Sequence, residues 1–134
     1  MNRKQEKVAG LIERHLGQEL DAHYLAFFDS FEQGRFYEAH EVLEELWLAE
    51  RGGPNAGFYK GLIQLAGAFV HWNKNRPEPA ASLLRLARGE LGRYSGIHQR
   101  LDIEAVLKAI DGWLGQVQAD PGIIVSPRVS LERR

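Results

Sequence analysis

Gly61-Leu-Ile-Gln-Leu-Ala-Gly-Ala-Phe-Val-His-Trp72 contains no charged side chain and decides the fold. The stretch lies inside a segment of helical period, about residues 57–74. A helix apolar on almost every side belongs at the centre of a bundle. Its only strongly polar residues, Gln64 and His71, are seven apart and share one side, two turns from each other. Gly61, Gly67 and Ala68 flank them, and small residues let a neighbouring helix approach closely.

The preceding helix spans about residues 36–50 and is the natural partner of that face. At ~100° per residue, Phe36, Ala39, Leu43, Leu46 and Trp47 share one side. His40 and Glu44 fall within the same arc, whereas Glu38, Glu41 and Glu45 point the other way and read as a solvated face. Further out, Lys4–Leu16 reads as a helix closed by Gly17, and Asp21 caps a second helix running to Gln33. Tyr24, Phe27, Phe28 and Phe31 form the apolar stripe of that second helix. Pro77 and Pro79 open a fifth helix with Leu84 and Leu91 inward. Asp102 or a neighbour starts a sixth, whose stripe includes Val106, Ile110 and Trp113. It ends near Asp120-Pro-Gly122, and residues 122–134 have no helical pattern, although Ile123-Ile-Val125 suits an extended path across the bundle. The expectation is one all-α domain over residues 1–134, a compact bundle of five to six helices. A faint repeat at an offset of 41 (Gly34-Arg35 against Asn75-Arg76, each leading a helix) suggests stacked, tetratricopeptide-like hairpins around the central hydrophobic helix.

Composition narrows the function classes. The 134 residues carry a net charge of -1 with basic residues scattered, which argues against a nucleic-acid stripe. There is no cysteine, which excludes disulfides and thiol nucleophiles. No run approaches the ~20 apolar residues of a membrane span, and the first residues lack the apolar core of a signal peptide. A cytoplasmic protein is the expectation.

The segment from Gly34 to Trp47, with Glu38-Ala-His-Glu-Val-Leu-Glu-Glu-Leu-Trp47 at its heart, is distinctive. Followed by Phe58-Tyr-Lys-Gly-Leu-Ile-Gln-Leu-Ala66 and His71, it resembles the domain-of-unknown-function 309 family, small all-helical bacterial and archaeal proteins. The resemblance covers roughly residues 24–94 and implies an all-helical fold and no particular activity. Asn75 departs from it, standing where a helix-ending glycine is expected. Asn is the next best residue for a left-handed cap, so the turn should survive.

Three chemical readings follow from the polar residues. The simplest is structural: His40, Glu44, Gln64 and His71 satisfy one another in a closed network that fixes helix register. The protein is then a non-enzymatic interaction or scaffold module, a homo-oligomer through its apolar fourth helix and tail, or the docking site of a protein partner. In the second reading the four polar residues, with Trp47, Tyr59, Phe36 and Trp72, line a small-ligand pocket. A hydrolytic variant of it would use His40 as base, oriented by Glu44. In the third, His40, Glu44 and His71 hold a divalent transition metal such as Zn²⁺. The zinc-peptidase pattern is not met, since His40-Glu41-x-x-Glu44 lacks its second histidine. Gly52-Gly-Pro-Asn-Ala-Gly57 lacks the lysine and hydroxyl of a phosphate loop and reads as a connection.

Overall fold

The structure is a computed structural model that describes residues 1–123 and 125–133. Its helices are α1 (Arg3–Ile12), α2 (Ala22–Glu32), α3 (Phe36–Ala49), α4 (Ala56–Asn73), α5 (Pro77–Leu91) and α6 (Ile103–Ala119). A short 3-10 turn, Glu13–His15, prolongs α1. One small antiparallel hairpin, β1 (Ile97–His98) with β2 (Leu101–Asp102), precedes α6. The chain is the expected all-α bundle. No helix among the described residues is long and apolar enough to cross a membrane.

Local chemistry sets the helix boundaries. Asn2 and Gln5 form a reciprocal capping box at the start of α1. The Asp21 carboxylate accepts from the His23 backbone N–H, and Asp102 accepts from that of Ala105. The two repeat-related corners are alike in detail. Gly34 and Asn75 both take left-handed backbone, with φ of 77° and 57°. Arg35 N–H then reaches back to Ser30 O at 2.8 Å, and Arg76 N–H to His71 O at 3.0 Å. Each corner thereby closes one helix and starts the next two residues later, and Asn75 performs the glycine's role as expected.

Successive helices pack on one another from α1 through α6, and α1 also reaches α3. At the centre, the fully buried Phe69 of α4 meets rings from three other elements. Its centroid lies 5.8 Å from Phe31 of α2, 5.3 Å from Phe36 of α3 and 5.0 Å from Trp113 of α6. Trp72, on its own helix, stacks beside it at 5.6 Å. These edge-on and offset contacts add to the burial itself. Trp47 and Trp113 are only partly buried at the margin of this core.

The C-terminal segment runs back over the hairpin. Glu132 N–H donates to Arg100 O at 2.6 Å, and Arg100 Nε donates to Glu132 O at 2.8 Å. Its anchor is the buried Val129, whereas Ile123 stays exposed. The extended path expected for Ile123-Ile-Val125 falls partly on residue 124, outside the described residues.

Gly61 shows why α4 must be poor in side chains where α5 crosses it. A Cβ at Gly61 would stand 2.8 Å from Leu91 Cγ, whereas one at Gly67 would meet only the Leu83 Cδ1 methyl, at 3.3 Å. Overpacking costs about 1–3 kcal/mol, against a helix-propensity gain near 1 kcal/mol for Gly→Ala. Urea denaturation should therefore show Gly61→Ala destabilised. Gly67→Ala, facing the flexible end of a half-buried leucine, should be neutral or slightly stabilised.

Candidate functional site

Three of the residues singled out by sequence converge on one cleft. His40 from α3 and Gln64 and His71 from α4 line a cavity of about 280 Å³, together with Tyr37 of α3. Its apolar wall consists of Ile63, Gly67 and Val70 of α4 and Leu83 of α5. Helical spacing explains the set: residues 63, 64, 67, 70 and 71 repeat at three and four along one strip of α4. That strip is the part of α4 left half-buried; the helix's remaining apolar faces are covered within the chain. The apolarity of α4, taken as a reason for self-association, is thus largely satisfied by α3, α5 and α6.

The expected closed network does not form. His40 Nδ1, Gln64 Oε1 and His71 Nδ1 are each shut from solvent and have no hydrogen-bond partner. His40 and Glu44 do adjoin, with Nε2 3.4 Å from Glu44 Oε2. The other Glu44 oxygen accepts from Lys4 Nζ at 2.6 Å. With a carboxylate facing Nε2, the neutral His40 ring keeps its proton there and leaves the lone pair on Nδ1. Glu44 is therefore not a lining residue and stands behind His40. Among the described residues no group of three or more His, Asp or Glu is placed to hold a metal ion, so His40, Glu44 and His71 do not close into a ligand set.

The aromatic lining differs from expectation too. Phe36 and Trp72 are core residues on either side of Phe69. Trp47 carries the Arg51 guanidinium 5.9 Å from its ring centroid and does not line the cleft. The ring that does is Tyr37, 54% exposed, with its centroid 5.9 Å from that of His40. At helical spacing Tyr37 falls at the edge of the α3 apolar stripe, and an edge is where a cleft wall must come from.

Glu41 is the clearest correction on α3. It points away from the Phe69 core, as the helical arc requires, yet it is only 7% exposed. Helix α1 lies over that side. Lys7 Nζ donates to Glu41 Oε1 at 2.6 Å, while Lys4 takes Glu44 one turn further along, which sets α1 antiparallel to α3. Both ammonium groups are held above the usual lysine range, chiefly by these hydrogen bonds. Glu45 stays on the exposed side and is engaged by His23 Nε2 at 3.0 Å.

Residues 24–83 match the model of a known family, Domain of unknown function (DUF309). That segment, a little under half of the chain, is similar to DUF309 domains. The match ends at Leu83, short of the residue 94 expected from the motifs. An uncharacterized protein of Aquifex aeolicus (strain VF5) is 35% identical over 54 residues. The aligned part is 40% of this chain and 16% of that relative's length. No solved structure matches. Every lining residue of the cleft, from Tyr37 to Leu83, lies inside the DUF309 segment. Helix α1, the hairpin and α6 lie outside it.

Tyr59, the remaining sequence candidate, belongs to a second polar cluster at the N-terminal end of α4. Its hydroxyl oxygen accepts from Gln99 Nε2 at 3.0 Å, and Tyr24 OH donates to Gln99 O at 2.9 Å. Burial pushes both phenols up, strongly so for Tyr24. These bonds hold a hairpin turn in which Gln99 and Arg100 both have positive φ, 46° and 63°. Non-glycine residues in that conformation store strain, which the surrounding contacts sustain. Tyr94 joins in, donating to Pro54 O and accepting from the Phe58 N–H. The cluster fastens the post-DUF309 hairpin to α2 and α4, so Tyr59 is a tether and does not line the cleft.

His98 completes this tether, 2.7 Å from Asn55 Oδ1 through Nε2 and edge-on to Phe58 at 4.5 Å. Burial lowers its pKa from the ordinary 6.5. As pH falls below 6.5 the unfolded chain takes up this proton before the folded chain does, so the contribution to stability is lost through the depressed folded pKa. Urea midpoints measured from pH 7.5 to 5 should fall less steeply for His98→Gln than for the native chain. Parallel curves would remove His98 from that dependence.

Proposed function

We propose that the DUF309 segment is a binding module for a small organic molecule, seated in the cleft formed by α3, α4 and α5. The observation that supports this reading is the convergence of three unpartnered polar atoms, on His40, Gln64 and His71, at one cavity. Each unmade hydrogen bond costs about 1–3 kcal/mol, a cost that packing alone would remove with apolar residues. A mostly apolar cavity with a few directed polar groups is the usual composition of a small-molecule site. The volume is at the lower end of such sites, which are typically ~300–1,000 Å³.

The lining holds no Ser, Thr, Cys or Lys, so binding without covalent chemistry is the reading the residues favour. Glu44 acts as a positioning residue that fixes the His40 tautomer, and Lys4 in turn steadies Glu44. This ranks the ligand reading above the structural network: a network needs satisfied members, and these three lack partners.

The two readings differ in the sign of a stability change. Gln64→Met removes an unpartnered amide and keeps the volume, so guanidinium denaturation should show stability unchanged or raised by up to about 1 kcal/mol. If Gln64 holds the bundle together, the same variant loses more than about 1 kcal/mol, and the ligand reading fails.

A further inference from the structure

The cleft's hydrogen-bonding polarity identifies a ligand class, an inference that rests on the binding reading above. No Lys, Arg, Asp or Glu is among the lining residues, so no fixed cation is present to neutralise a phosphate or carboxylate. The unpartnered atoms are acceptors or can be. Gln64 Oε1 is an amide oxygen and accepts only. His40 Nδ1 carries the ring's lone pair, because its Nε2 faces the Glu44 carboxylate at 3.4 Å. His71 Nδ1 has no partner and accepts whenever the ring carries its proton on Nε2.

We propose that the cleft recognises a small primary amine, bound as its ammonium ion. An ammonium has three donors and no acceptor, matching the three accepting atoms once side-chain rotation turns them from their closed positions into the cleft. The Glu44 carboxylate behind His40 is already paired with the Lys4 ammonium, so its part is to hold the His40 proton on Nε2. Ile63, Val70 and Leu83 accommodate a short hydrocarbon body and reject a second charged end. A diamine or a free amino acid therefore fits less well than a monoamine.

Three probes of matched shape separate the possibilities: cyclohexylamine, cyclohexanol and cyclohexanecarboxylate, each titrated into the full chain at neutral pH. Binding is read from the NMR shifts of the Gly67 amide and the Gln64 side-chain amide. Cyclohexylamine should saturate at these positions and bind at least ten-fold more tightly than either other probe. Gln64→Leu should weaken it at least ten-fold, and Glu44→Gln by a smaller factor, with the folded spectrum retained in both. Preferential binding of the alcohol or the carboxylate at the same residues would overturn the amine assignment and leave the binding reading standing. Equal amine affinity in native and Gln64→Leu protein would also overturn it. If none of the probes moves the cleft resonances, both the assignment and the binding reading fail.

Discussion

Phe69 is the constraint on which the rest of the structure depends. One fully buried ring on α4 must be enclosed by Phe31, Phe36 and Trp113, which come from α2, α3 and α6. A helix surrounded on three sides can carry almost no charge, which is why the residues from Gly61 to Trp72 are uncharged. Close contact with α5 needs a helix surface without bulk, and Gly61 provides it against Leu91. Burial around Phe69 also determines what is left over. The only strip of α4 not consumed by the core is the one bearing Ile63, Gln64, Gly67, Val70 and His71, and it becomes the cleft floor.

The sequence made the helices legible because their signals are local. Asp21 and Asp102 mark starts, Gly34 and Asn75 mark stops, and each acts within a few residues of itself. The convergence of His40, Gln64 and His71 was also readable, since helical spacing places each on a defined side and small residues on α4 suggest a close neighbour. What escaped the reading depends on contacts distant in sequence. Glu41 looks solvated from α3 alone, and only the docking of α1, 34 residues earlier at Lys7, buries it. Tyr59 looks like a pocket residue from α4 alone. Its actual partner, Gln99, lies 40 residues later in a hairpin too short for periodicity to detect.

Helix α1 and the hairpin have a common physical role despite lying at opposite ends of the chain. Both flank the matched segment, and both are attached through polar groups as well as apolar side chains. For α1 the attachment is two lysine–glutamate pairs, the buried Val8 and the partly buried Leu11 and Ile12. Exposed ion pairs contribute little each, roughly 0–1 kcal/mol, so α1 is held weakly compared with the helices around Phe69. The hairpin is tied by phenol and amide hydrogen bonds that keep a two-residue left-handed turn in place. These segments dress the core built around Phe69. One of them, through Lys4 and Glu44, also reaches the side chain that orients His40.

That arrangement ties stability to recognition. A bundle selected for packing alone would place leucine or methionine at position 64 and an apolar ring at 40 or 71, and would gain from each change. The chain instead keeps three polar side chains beside its most apolar helix and leaves an atom of each unmet. At the hairpin tether Tyr24, Tyr59, Tyr94 and His98 all find partners, even at the cost of a strained turn, whereas His15 Nε2 and Trp72 Nε1 elsewhere have no hydrogen-bond partner. The tether at the start of α4 pairs its polar groups within the molecule, and the cleft strip further along leaves three unpaired. Under the binding reading proposed above, that strip becomes complete when something with donors of its own occupies the cleft.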